Sequence, residues 1–276
     1  MPSYNAPRDA TARSLSHLRD LGAQVVSTRG VSDVALARCW AAAKALHFLA
    51  GYDGIPLRYV LWHDDDIVLH SPACRGLLGW LDTLSTFSVS QGGKPVAVSA
   101  RYLQQHGPAI AASHLYGSEH QKLCGLKPVY SGLGAHAMHL EAWLAFCRKL
   151  QHVVTLDGTT MVPCVTASGP LQLPDRVVWS SEDSTYCALL ESAGYRTYLT
   201  PVLAGHIPRE GEKPRWPEKD SPTLDEREGQ LRCNPPPLAA DKPRYAAALA
   251  ADGDLPTPGR KLLRQLVASR QVDPSA

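Results

Sequence analysis

The chain has 276 residues, 44% of them hydrophobic, and a formal net charge of +2. That length suits one large α/β domain with appendages, or two small ones, and the apolar content is that of an ordinary globular protein. So small a net charge excludes a polycation built for nucleic acid, although local basic patches remain open to it.

Seven cysteines are scattered as Cys39, Cys74, Cys124, Cys147, Cys164, Cys187 and Cys233, with no CxxC pair. This argues against a structural zinc site and fits a reducing compartment. The longest apolar stretch, residues 40–50, holds Lys44 and His47 and is too short to span a bilayer. The N-terminus has no signal-peptide pattern. The expectation is a soluble cytoplasmic protein with no membrane insertion.

In chain order, Pro7 and Asp9 open a helical pattern with Leu15, Leu18 and Leu21 on one face, closed by Gly22. Gln24-Val25-Val26-Ser27 reads as a short strand. Ser32 can cap the next helix, which carries Val34, Leu36, Trp40 and Leu46. Tyr59 to Trp62 is a strand, Leu77 to Leu84 a helix, and Pro95 to Ser99 another strand. An irregular segment follows over residues 101–127, with His106, His114 and His120. Then come Val129-Tyr130-Ser131-Gly132-Leu133-Gly134, a helix over Leu140 to Leu150, and a helix opened by Ser181-Glu182-Asp183. Tyr186, Leu189, Leu190 and Ala193 form the apolar face of that helix, and Gly194 ends it. Tyr195 to Leu199 is a strand, and His206 follows the apolar pair Val202-Leu203. Residues 208–243 are rich in proline and balanced charge and read as a solvated wrapping loop, before a last amphipathic helix over residues 260–269.

Alternating helices and short apolar strands predict an α/β fold with a mixed, mostly parallel sheet and helices on both faces. The domains expected are residues 1–207 and an appended 208–276 packed on it. Ligands in such folds bind beyond the carboxyl ends of the strands. There the apolar run Tyr59-Val60-Leu61-Trp62-His63 ends in Asp64, Asp65 and Asp66. Three carboxylates at one point resist joint ionisation unless a cation is present. Oxygen ligands favour a hard ion such as Mg2+ or Mn2+.

Taken in order, Pro2-Ser3-Tyr4-Asn5, Arg38, Asp64-Asp65-Asp66, Gly132-Leu133-Gly134, Glu182-Asp183 and Gly205-His206 resemble the GT-A superfamily of nucleotide-sugar-dependent glycosyltransferases, across roughly residues 2–206. The acidic triplet alone is a weak mark; the ordered set is far more specific. The resemblance implies a GT-A, Rossmann-like sheet and a metal-dependent transfer from a nucleotide sugar, a UDP-sugar being the donor expected. It implies Asp66 as a direct metal ligand, Asp64 on the metal or the ribose, and His206 completing the shell, an imidazole that suits Mn2+ somewhat better than Mg2+. Asp183 is implied as the general base of an inverting transfer, held ionised at a helix N-terminus.

On the donor side the resemblance implies Tyr4, Arg38 on the diphosphate, Glu182 on sugar hydroxyls, and Gly132 and Gly134 where backbone approaches the sugar. Asp65 either points to the sugar or caps the turn. In the family, Pro-Ser-Tyr-Asn ends the first strand, and here only Met1 precedes it. That strand is expected to be missing, truncated or supplied differently.

Each mark also has a plain structural reading: a solvated turn for the aspartates, helix-end charge for Glu182-Asp183, a satisfied histidine for His206. The acceptor is left open. A carbohydrate, lipid-linked sugar or protein is one class; a hydroxymethylated pyrimidine in DNA is another, since phage-type enzymes share this layout. A metal-dependent nucleotidyltransferase and a non-catalytic sugar-nucleotide-binding protein are the competing readings from other classes.

Overall fold

A computed structural model describes residues 9–28, 34–105, 107–113, 122–150, 182–209 and 211–223. Tyr4, Ser32, His106, His114, His120, most of the wrapping loop, the C-terminal helix and the side chain of Glu182 lie outside the described residues.

Five helices and eight strands are described: α1 (Asp9–Asp20), α2 (Val34–Ala50), β1 (Tyr59–His63), β2 (Ile67–Val68), α3 (Ser71–Ser90), β3 (Ala97–Arg101), β4 (Ala112–Ser113), β5 (Tyr130–Ser131), β6 (Ala135–His139), α4 (Leu140–Leu150), α5 (Glu182–Ser192), β7 (Thr197–Leu203) and β8 (Gly205–His206). The main sheet has the order β1-β6-β3-β7. β6 runs antiparallel to both β1 and β3, and β7 runs parallel to β3. The α/β class and the mixed sheet are therefore present, but antiparallel pairing outweighs parallel among the described strands, against the mostly parallel expectation. The cause is β6. Its sequence, Ala-His-Ala-Met-His, has no β-branched residue, so nothing in it marks a strand between Gly134 and α4.

Side chains alternate across the sheet as the period of two requires. On one face Trp62 and Met138 pack with Cys39, Ala41 and Ala42 of α2, Trp143, Phe146 and Cys147 of α4, and Tyr186, Cys187, Leu189 and Leu190 of α5. On the other, Val98, Ala135 and Ala137 pack with Leu15 and Leu18 of α1 and Leu77, Leu81 and Leu84 of α3. Helices thus cover both faces. The buried side of α2 is mostly alanine, Ala37, Ala41, Ala42 and Ala43, whereas Val34 is exposed. Residues 24–27 form no strand; a single bridge forms at Thr28. Gly22 and Gly194 sit at φ +87° and +88° just past α1 and α5, where a left-handed residue ends a helix. The described part of the wrapping segment crosses the sheet end: Arg101 donates to the Ser221 carbonyl at 2.9 Å and Ile110 N–H to Pro222 at 2.8 Å. Among the described residues no helix is long and apolar enough to cross a membrane.

Two histidines are built into this core uncharged. His136, on β6, faces Tyr186 and meets Thr197 Oγ1 at 3.1 Å. Burial, helped by the Arg38 charge, lowers its pKa to about 3. His63 is shifted the same way, chiefly by burial. Below the unfolded-state pKa of roughly 6.5 the unfolded chain takes up protons that these folded rings refuse, so both withdraw stability as pH falls. Replacing His136 with Gln is expected to reduce the stability lost between about pH 7 and pH 4.5 by roughly 2–3 kcal/mol. Urea unfolding midpoints at the two pH values check this, and parallel losses in both proteins would exclude His136 as the source.

Candidate functional site

β1, β3 and β7 point the same way, so their carboxyl ends meet the amino end of β6 at one edge of the sheet. Asp64 directly follows β1, Tyr102 follows β3, Gly205-His206 lies just past β7, and Gly132-Leu133-Gly134 leads into β6. The first turn of α5 brings Asp183 to the same edge: Leu133 N–H donates to Asp183 Oδ1 at 3.0 Å. Asp64 N–H donates to the Gly134 carbonyl at 3.1 Å, which ties the acidic turn to the glycine loop.

The aspartates split in two directions. Asp64 receives Arg38 Nη1 on Oδ1 at 3.0 Å and Nη2 on Oδ2 at 3.1 Å, a two-pronged ion pair. The same Nη2 lies 3.5 Å from Asp183 Oδ1. Arg38 is 2% exposed, against 25% and 34% for the two carboxylate side chains, and its guanidinium sits 5.9 Å over the Trp62 ring. Arg38, expected on a diphosphate, is engaged with both acids inside the protein. Asp64, expected on the metal or the ribose, meets Arg38 through both oxygens.

Asp66 turns the other way. β2 pairs with β8, matching Ile67 to His206, and Ile207 N–H donates to the Asp66 carbonyl at 2.8 Å. This sets His206 Nε2 3.3 Å from Asp66 Oδ2. His206 Nδ1 is 2.7 Å from the Leu103 carbonyl, and a carbonyl can only accept, so Nδ1 carries a hydrogen. The neutral ring then presents a lone pair on Nε2 to a carboxylate oxygen. Two acceptors face each other, and a proton or a metal ion between them resolves the conflict. Burial opposes the proton, but Asp66 and the Leu103 and Gln104 carbonyls outweigh it and raise the His206 pKa. Asp66 and His206 therefore have the chemistry of two ligands of a divalent ion. Among the described residues no group of three His, Cys, Asp or Glu converges on one metal point. Asp65 lies in the turn between β1 and β2, partly exposed.

Tyr102 is a site residue that motif reading does not single out. Its hydroxyl accepts the Gly134 N–H at 3.0 Å, and its ring meets His206 edge-on at 6.2 Å. Burial, then the charges of Asp183 and Asp64, hold its pKa well above 10, so the phenol stays protonated. It also explains both glycines. A Cβ on Gly132 would run into the Tyr102 hydroxyl, and one on Gly134 would sit 2.7 Å from Ile67 Cγ1 and 3.1 Å from Tyr102 Cζ. The only hint in the sequence is the position of Tyr102 straight after a strand. Gly205 is constrained likewise, with Trp216 2.9 Å and Pro214 3.0 Å from where a Cβ would lie. Trp216 is 40% exposed and stacks on His70 at 5.3 Å.

Comparison with protein-family models, curated proteins and solved structures finds no match to this chain. Gly132→Ala and Gly134→Ala are each expected to cost about 1–3 kcal/mol, the first through overpacking against Tyr102 and the second against Ile67 and then Tyr102, measured by denaturant unfolding. Combining Gly132→Ala with Tyr102→Leu should recover part of that loss; no recovery would mean the crowding lies elsewhere.

Proposed function

We propose that this chain is a metal-dependent glycosyltransferase of the GT-A type, moving a sugar from a nucleotide sugar, a UDP-sugar being the donor expected, to an acceptor hydroxyl. One observation supports this reading most. An Asp66–His206 pair chemically suited to a divalent ion and a carboxylate at a helix start, Asp183, share one sheet edge. Hard cations commonly accept one or two protein ligands and complete their shell with phosphate oxygens and water. Asp66 and His206 would hold Mn2+ or Mg2+, which as a Lewis acid offsets the charge growing on a departing nucleoside diphosphate.

The chain's own residues do the rest. Asp183 takes the proton of the acceptor hydroxyl on a carboxylate oxygen as that hydroxyl attacks the sugar carbon. A base of this kind contributes roughly 10²- to 10⁴-fold. The Arg38 and Leu133 contacts are ones a carboxylate makes, and at 34% exposure Asp183 is within reach of a ligand. His206 is oriented by the Leu103 carbonyl so that Nε2, not Nδ1, faces Asp66. Tyr102 holds the Gly134 amide and with it the loop that positions Leu133 N–H against Asp183.

The test is a panel of nucleotide sugars with Mn2+, assayed for slow release of nucleoside diphosphate. Asp66→Ala is expected to abolish release and Mn2+ binding, whereas Asp64→Asn keeps Mn2+ binding because Asp64 is committed to Arg38. Asp183→Asn should lower turnover by about 10²-fold or more while donor affinity holds. Full activity in excess chelator would overturn the metal role. Pyrophosphate release would identify a nucleotidyltransferase, and tight donor binding with no turnover on any acceptor a binding protein.

A further inference from the structure

We propose that Arg38 is a positioning residue that couples the two halves of the site, holding Asp183 in register with the strand end that carries Asp64 to Asp66, and that it does not bind the donor diphosphate. The inference rests on the glycosyl-transfer reading and deepens it. Three features carry it. First, the guanidinium grips both oxygens of Asp64 at 3.0 and 3.1 Å, and such a fork–carboxylate pair fixes orientation as well as distance. Second, the same Nη2 reaches Asp183 Oδ1 at 3.5 Å, the oxygen that also accepts Leu133 N–H at 3.0 Å. Asp183 is thereby set from two sides, one tied to β1 and one to the loop before β6. Third, Arg38 sits on a stretch of α2 whose residues Ala37, Cys39, Ala41 and Ala42 are buried, and its guanidinium lies 5.9 Å over the Trp62 ring.

A cation kept for a diphosphate needs donors that face solvent, and Arg38 is 2% exposed. The exposed members of the bridge are its acids, which are the groups a ligand meets. Because Asp64 N–H is held by the Gly134 carbonyl, the chain of contacts Arg38, Asp64, Gly134, Leu133, Asp183 closes on itself. Moving any member displaces the carboxylate offered to the acceptor.

The full chain is tested as wild type, Arg38→Lys, Asp183→Asn and the double variant. Lysine keeps the charge and loses the fork. Binding of uridine diphosphate with Mn2+ is read by calorimetry, donor turnover as kcat and KM, and folding by Tm. The expected result for Arg38→Lys is diphosphate affinity and KM within about threefold of wild type and kcat lower by about tenfold or more. In the Asp183→Asn background, Arg38→Lys should add less than about threefold, because it acts through Asp183. Loss of diphosphate affinity by about tenfold or more at unchanged kcat would make Arg38 a donor ligand and overturn the proposal. Multiplying kcat losses in the double variant would also overturn it. Should Arg38→Lys fail to fold, Asp64→Asn removes the other end of the fork and must show the same non-additivity with Asp183→Asn. A wild-type protein that turns over no nucleotide sugar defeats the glycosyl-transfer reading itself, and the inference with it; an active wild type with additive losses defeats the inference alone.

Discussion

A guanidinium at 2% exposure is tolerable only if its charge is answered, and here the answer comes from two acids on different elements. Arg38 belongs to α2, Asp64 to the end of β1, and Asp183 to the start of α5. Leaving one partner of a buried ion pair uncompensated costs about 3–5 kcal/mol. The approach of α2, the end of β1 and the pose of α5 are therefore not independent choices. The aspartate triplet presents the same problem from the other side. Three adjacent carboxylates need cations, and the chain supplies one from within for Asp64 while Asp66 is turned to His206. Two acids two residues apart are thus answered by different partners, Asp64 by a guanidinium and Asp66 by an imidazole.

The glycines show a related economy. Gly132 and Gly134 make room for the Tyr102 ring, and the Tyr102 hydroxyl in turn holds the Gly134 amide. The loop is shaped by a side chain packed beneath it. Gly205 does the same for Trp216 and Pro214, which lets β8 lie between β2 and the segment around Arg215. Each of these three glycines makes room for a ring, Tyr102 for the first two and Trp216 and Pro214 for the third.

Much of this was legible in the sequence where local signals and tertiary environment agree. α4 spans Leu140–Leu150 as its amphipathic period predicts, α5 opens at Glu182, and β1 runs into the aspartates. β6 was not legible. Alanine, histidine and methionine carry no strand preference, and their extended state is imposed by β1 and β3 on either side. With β6 unseen, the helix–strand alternation suggested a more parallel sheet than the one present. In α2 Leu46 packs against the core as expected, Val34 is exposed, and the fully buried positions are mostly alanines that carry no periodic signal of their own. The adjacency of Asp66 and His206 was expected from the resemblance, and the two side chains do meet. The engagement of Arg38 with Asp64 and Asp183 was not, because residue types do not reveal whether a cation faces a ligand or a neighbour.

The central place of β6 bears on how the molecule comes into being. Its register joins Tyr59 to His139 and Ala97 to Met138, while β3 waits for Thr197. Closing loops of such length costs chain entropy before any contact returns it, and topologies dominated by distant pairings fold slowly. A strand with so little preference of its own depends on its two neighbours, β1 and β3, for its extended shape. The glycine loop, Asp64 and Asp183 are all hung on the end of that strand. Their alignment therefore depends on the register of β6, and a slip of one residue there would turn every side chain of the strand to the opposite face.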